Sequence, residues 1–304
     1  MSSLSIVVPR LGADLLFENT LASILRYRMP HHQVIVVQSD LQADTYGLEG
    51  EVQFVEVAGK PKINAPRLNA YLNQGLKVAR GDVINVIRPG IEVTHQWFAH
   101  GVRYLSHAEI GSAATSIAAA NDRNEIVSCG LLTDLTMLPR HATDSIQRPF
   151  AASMWAAFYR REVLQLIGEL DESISDEFCG LDMGLSLARL GLKCAVITDR
   201  VLTIQSEKML KLVPRQQAGR DAQRMVQRHA IGQRQTWDSV VAIATDGLKS
   251  FWRPARWAQV AGRFSAGSKQ ATDRAFVRAL ALAGHDLARL QSEAVDPNRT
   301  RKAA

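Results

Sequence analysis

The feature that most restricts the fold is a rhythm of short apolar runs and helical segments over the first 90 residues. Leu4 to Val8 (LSIVV), Val34 to Val37 (VIVV) and Val83 to Ile87 (VINVI) are nearly continuous and rich in β-branched side chains. Val52 to Val57 (VQFVEV) alternates instead. Runs this short and this apolar read as strands buried on both faces. Between them, residues 15–27 place Leu15, Leu16, Leu21, Ile24 and Leu25 at helical spacing. Residues 66–80 do the same with Leu68, Leu72, Leu76 and Ala79, and Gly81 is the expected stop. Strand, helix and strand in that order predict an α/β fold with a mostly parallel sheet flanked by helices.

The rhythm loosens but continues. A helix is expected over 95–107, strands over 110–117, 151–160 and 194–197, and helices over 161–167 (ending at Gly168) and 181–190 (capped by Gly191). Residues 121–150 read as one polar, irregular loop with Pro139 and Pro149, and a loop of that length is functional or mobile. Beyond residue 205 the pattern is helical. Arg215, Arg220, Arg224, Arg228 and Arg234 recur at about one-turn spacing, residues 249–264 mix basic and aromatic groups, and residues 271–293 read as an amphipathic helix. Charge divides at the same place: 18 Lys+Arg against 22 Asp+Glu before residue 205, a net of −4, and 18 against 8 from there on, a net of +10. Residues 1–205 therefore read as one domain and 206–304 as a basic helical extension.

Several classes fall away. No apolar run reaches the roughly 18 residues a membrane span needs. MSSLSIVVPR has no basic region ahead of its apolar run and reads as a first strand, not a leader. Cys129, Cys179 and Cys194 are odd in number, lack metal-type spacing and read as free thiols of a reducing cytosol. A dinucleotide-binding Rossmann turn is excluded because PRLGADLL, after the first strand, has one glycine where Gly-x-Gly-x-x-Gly is needed.

Residues 4–205 resemble the family 2 glycosyltransferases, which use the GT-A nucleotide-sugar-binding fold. SIVVPR at 5–10 looks like the family's opening strand, and Thr20, Leu21 and Ser23 like part of its first helix. VIVVQSD at 34–40 looks like its second strand, and LNQGLKVARGDVINVI at 72–87 like its Asn-x-Gly, Ala, Gly and strand leading to the metal site. WAAFYRREVLQLIGELDE at 155–172 resembles its Arg-Arg-Glu helix and following Gly-x-x-Asp-Glu, and LDMGLSLARLG at 181–191 the helix after its catalytic carboxylates. The departures are as specific. The family's Asp-x-Asp falls on Arg88-Pro89-Gly90, and its Glu-Asp-x-Asp on Cys179-Gly180-Leu181-Asp182. Gln38 and Ser39 stand where acids are usual, and Gln205 near the usual histidine.

Transfer from a nucleotide sugar needs a neutralised diphosphate, a base for the acceptor hydroxyl and a positioned donor. Arg88 cannot bind a cation, so the expectation is metal-independent transfer without a cofactor, with its guanidinium on phosphate oxygens; the plain alternative is a solvated arginine in a turn. The base candidates are Asp182, Glu177 and Asp176; helix capping and dipole compensation would also explain aspartate there. Pro9, Arg10, Ser39, Asp40, Asn64 and Arg67 fall near the carboxyl ends of the first strands, where α/β sheets bind ligands, and with Arg88 they are the nucleotide-sugar-binding candidates.

The resemblance implies a nucleotide sugar and a glycan or glycolipid acceptor as partners. The basic, aromatic stretch at 208–264 suits an anionic membrane surface or packing on the main domain, and no nucleic-acid motif is present. The reading is a cytoplasmic transferase, peripheral on the inner membrane face. An inactive GT-A-fold pseudoenzyme binding a nucleotide sugar, glycan or partner, and a basic membrane accessory protein, are the alternatives.

Overall fold

The computed structural model describes residues 3–39, 47–48, 50–57, 68–205, 214–229, 234–250, 257–266, 276, 279–284 and 287–288. Its strands are β1 (Leu4–Pro9), β2 (Gln33–Gln38), β3 (Gln53–Glu56), β4 (Val83–Ile87), β5 (Ile91–Glu92), β6 (Ile110–Ala119), β7 (Ile126–Ser128), β8 (Leu131–Leu132), β9 (Arg140–His141), β10 (Ala156–Arg160) and β11 (Lys193–Ile204). Its helices are α1 (Asp14–Tyr27), α2 (Leu68–Val78), α3 (Phe98–Leu105), α4 (Arg161–Ile167), α5 (Asp176–Arg189), α6 (Arg215–His229), α7 (Arg234–Ser250) and α8 (Trp257–Phe264).

Among the described residues one sheet runs in the order β3-β2-β1-β4-β10-β6-β11-β5, with β7 on β6. The first four strands are parallel, as their apolar continuity requires. β10 enters antiparallel between β4 and β6, and β11 is parallel to β6. The pleat sends Val7, Ile35, Val37 and Val86 to one face, under Leu68, Tyr71 and Leu72 of α2. It sends Ile6, Val8, Val34 and Val36 to the other, under Phe17, Leu21 and Ile24 of α1. Asn85, the polar residue inside β4, is fully used: its amide donates to the Ala157 carbonyl (3.0 Å) and its oxygen accepts from Trp97 Nε1 (2.9 Å).

Four local expectations change. Gly81 does not cap α2, which ends at Val78; it lies against β1, donating to Ser5 Oγ (2.8 Å) where a Cβ would meet the Ser5 backbone. Helix α5 starts at Asp176 rather than 181. β11 runs on to Ile204 along β6 rather than stopping at 197. The 121–150 loop contains β7 and the β8–β9 hairpin.

The segment beyond 205 is joined to the sheet domain by buried polar contacts. Asp221 of α6 accepts from the backbone N–H and hydroxyl of Ser175, the residue at the start of α5. Arg224 donates to the Ser173 carbonyl (2.9 Å). Ala222 and Met225 pack on Ile174, Phe178 and Leu181, and Leu280 and Leu287 join the core cluster that also holds Leu187 and Leu190. Helix α8 crosses α6 at Gly219 and Gly262, where a Cβ on either would meet the other helix's backbone. Arg263 of α8 reaches Asp246 of α7 and the Thr136 carbonyl, and Gln259 donates to both Asp246 oxygens (2.8 Å each).

Candidate functional site

The parallel register sets Pro9 opposite Val37 and Val7 opposite Val86, so the chain just past β1, β2 and β4 emerges along one edge. Arg10 leaves β1 there, its N–H on the Val37 carbonyl (2.7 Å). Its guanidinium lies 3.0 Å from Asp14, 3.3 Å from the Gln38 oxygen and over the Phe17 ring. Ser39 is exposed at the end of β2.

Arg88 follows β4. The turn behind it is pinned: Gly90 has φ +91°, which favours glycine, and its N–H donates to Thr20 Oγ1 (2.8 Å). Gln205, near the position expected for a histidine, is also tied here. It donates from its backbone to the Gly90 carbonyl (2.9 Å) and from its side chain to Glu92, and accepts from Asn19 (3.2 Å). The Arg88 guanidinium sits 3.5 Å from Asp176 Oδ2, with both side chains partly open to solvent. The other Asp176 oxygen accepts from the Leu68 N–H (3.1 Å), so one carboxylate joins the start of α2 to Arg88.

Glu177 comes next on the first turn of α5. Burial pushes its carboxyl above the usual range, Asp176 and Asp221 add to the rise, and its own backbone N–H and Arg88 oppose it. It lines a cavity of about 520 Å³ between the sheet domain and the C-terminal helices, together with Asp134, Arg140, His141, Arg215 and Lys249. His141 stacks on Trp155 (centroids 4.1 Å apart, 25° between planes) and lies 2.8 Å from Ser128 Oγ. Burial holds its pKa at about 4, so the ring is neutral at pH 7.

Asp182 lies further along α5 and faces α6. It is 4% exposed, 2.7 Å from His229 Nε2 and, as an ion pair without hydrogen-bond geometry, 3.0 Å from Arg228 Nε. Arg228 also stands 3.7 Å from Asp171 and stacks on Phe276. The structure thus gathers Pro9, Arg10, Arg88, Asp176 and Glu177 toward one end of the sheet and sets Asp182 against α6. Asp40, Asn64 and Arg67 lie outside the described residues. Sequence reasoning missed His141, Trp155, Arg140 and Arg215 as neighbours of the site. The length of the 121–150 loop was a signal for the 140–141 pair, whereas Arg215 was hidden in a row of arginines.

No family model and no curated protein matches the chain. Solved structures do. The mannosyltransferase PcManGT from Pyrobaculum calidifontis, solved with GDP-Man and Mn2+, aligns over 98% of this chain and 88% of its own at 15% identity, with a TM-score of 0.57. GalNAc-T7, solved with UDP, GalNAc and Mn2+, aligns over 85% of this chain and 55% of its own, about half its length, at 13% identity and TM-score 0.57. TarS 1–349 from S. aureus aligns over 94% and 91% at 12% identity and TM-score 0.52. The chain has a glycosyltransferase-like α/β fold.

These neighbours correct one expectation. Metal-independent transfer was read from Arg88, yet two of the three structures carry Mn2+, so an arginine at that turn is no ground for a metal-free reaction. The side chains of that turn offer a divalent cation no ligand. The turn offers Arg88, Pro89 and Gly90, and no group of three or more His, Cys, Asp or Glu converges among the described residues.

Proposed function

We propose that the chain is a family 2-like glycosyltransferase that moves a sugar from a nucleotide-sugar donor to a hydroxyl of a glycan or glycolipid acceptor. The observation that carries this is Arg10 and Arg88 at the carboxyl ends of parallel strands, with Asp176 of α5 against Arg88 and Glu177 beside it on the same helix turn. The guanidinium of Arg88 is suited to diphosphate oxygens and would exchange Asp176 for them when a donor binds. The acceptor oxygen bonds to the anomeric carbon as the bond from that carbon to the diphosphate oxygen breaks. The electron pair leaves on the nucleoside diphosphate and the hydroxyl proton passes to Glu177. Asp40, Asn64 and Arg67 keep their assignment as donor contacts within this proposal.

Thermal unfolding against UDP, GDP, CDP, ADP and dTDP in the presence of Mn2+ tests it. A ligand at 100 times its Kd stabilises by about 2.7 kcal/mol. One nucleotide is expected to raise the midpoint, and Arg88→Ala to weaken it at least tenfold. Absence of any shift across the panel sinks the transferase reading.

A second reading is a pseudoenzyme that binds a nucleotide sugar without transfer. The pairing of Arg88 with Asp176 and the burial of Asp182 favour it. Nucleotide binding without product from any donor would select it.

The anionic membrane partner is proposed on exposed Val240, Val241 and Leu248 of α7 and Trp257 and Phe264 of α8, in a segment of net charge +10. Parts of 208–264 lie outside the described residues, and no described helix is long and apolar enough to cross a membrane. The chain is expected to float with phosphatidylglycerol vesicles at low salt, and Trp257→Ser with Phe264→Ser to reduce this several-fold. Wild-type chain left at the bottom of the gradient would remove the membrane, and with it the inner-face location.

A further inference from the structure

We infer that the cavity between the sheet domain and the C-terminal helices receives the acceptor, and that this acceptor carries a phosphate-type anionic group held at Arg140 and Arg215. The inference rests on the transferase reading and adds the chemical class of the second substrate.

Charge bookkeeping within the cavity leads to it. Lys249 is paired with Asp134 at 2.8 Å. Asp246 is paired with Arg263 and accepts from Gln259. Those pairs cancel, which leaves Arg140 and Arg215 on the lining without a carboxylate partner among the described residues and Glu177 as the remaining lining carboxylate, two cations against one anion. Both are exposed, so they stand at its mouth, one on β9 and one at the start of α6. Two guanidinium forks from separate elements on one cavity favour an oxyanion that can accept several hydrogen bonds, as phosphate does.

The rest of the lining suits the remainder of such an acceptor. Its volume, about 520 Å³, is that of a small-molecule site. His141, neutral and stacked on Trp155, offers a ring nitrogen without adding charge. Leu138, Pro139 and Phe178 supply apolar wall. Glu177 lies on the same wall and follows directly on Asp176, which holds Arg88. An anion at the mouth therefore leaves a hydroxyl on the same molecule free to point inward, toward the carboxylate and the donor edge. The aspartates in the cavity do not repel the anion, because each is already matched by a cation.

The phosphate could belong to a soluble sugar phosphate or to a lipid headgroup, and two probes separate these. The full chain, saturated with the nucleoside diphosphate that stabilises it, is titrated calorimetrically with sn-glycerol 3-phosphate and with monomeric dihexanoyl phosphatidic acid. At least one probe is expected to bind, glycerol alone is not, and Arg140→Ala/Arg215→Ala is expected to weaken the phosphate probe at least tenfold, about 1.4 kcal/mol. The same variant should keep its nucleotide affinity within twofold, which also reports that it is folded. A charge-matched control on α1 and α3, Arg26→Ala/Arg103→Ala, should bind the probe like wild type. Binding of glycerol phosphate alone marks a soluble acceptor, and binding of the lipid alone a headgroup. If nucleotide binds but neither probe does, or if both probes bind the double variant as they bind wild type, the anionic acceptor is wrong while the donor site stands. If no nucleotide binds, the transferase reading falls and takes this inference with it.

Discussion

Arg263→Met is expected to destabilise the protein by about 3–5 kcal/mol, read as a lower midpoint in urea unfolding at pH 7. The Arg263 side chain is 0% exposed and the Asp246 side chain 3%. Taking two charges out of water is costly, and the pair is tolerated because every group around it is used: Gln259 on Asp246, and Arg263 on the Thr136 carbonyl. Methionine fills much of the space but leaves a buried carboxylate with only an amide facing it, and leaves the Thr136 carbonyl without this donor. The damage should be reversible by chemistry. Arg263→Met combined with Asp246→Leu removes both charges and should recover most of the loss, since replacing a buried pair by apolar groups is near neutral. A single-variant loss below 1 kcal/mol would mean that water reaches the pair. Because this pair ties α7 and α8 to the 134–138 segment, the same variant should also loosen the wall of the cavity.

Glu177→Gln is expected to lower kcat by about 10²- to 10⁴-fold with little change in KM, the usual scale for losing a general base. The pH profile carries a separate signature. In the proposed transfer the ionised carboxylate is the form that accepts the proton, and burial, then Asp176 and Asp221, push its pKa upward. The rate should therefore rise with pH through an acid limb lying above the ordinary carboxylate range. It should fall as pH drops through that limb, because the protonated acid cannot accept the hydroxyl proton. In Glu177→Gln the limb should vanish along with the rate. A variant with wild-type turnover would move the base elsewhere on α5, and Asp176→Asn would be the next comparison.

How much of this could be read from the chain depended on whether the cause was local. β1, β2 and β4 were legible because a strand buried on both faces needs an apolar residue at nearly every position, and short β-branched runs say so. α4 was legible from its apolar spacing and from Gly168, which takes φ +82° at its end. The start of α5 was not. Gly180 and Gly184 interrupt its pattern, and the group that holds Ser175, the residue just before it, is Asp221, 46 positions away. β8 and β9 have two residues each, too few to show a period, and exist because they face one another. The site divides in the same way. Arg88 was singled out because the family resemblance, counted from Gly81, places the Asp-x-Asp motif on it. Asp182 stood at a position matching a carboxylate motif, but spacing could not reveal that Arg228 and His229 would close on it. The cavity was invisible to sequence reasoning because its two walls are far apart in the chain. The metal-free expectation failed for another reason: it drew the absence of a cofactor from one substituted turn.

The grip of α6 on the 171–176 segment also sets an order of events during synthesis. Ser175, just before α5, and Asp176, which begins α5 and faces Arg88, leave the ribosome well before Asp221 and Arg224, which contact that segment. The sheet can assemble while the last third is still being made. The contacts of α6 with Ser173 and Ser175 can form only after α6 has emerged, so the edge where Arg88 meets Asp176 gains these supports late although most of its own residues are translated first.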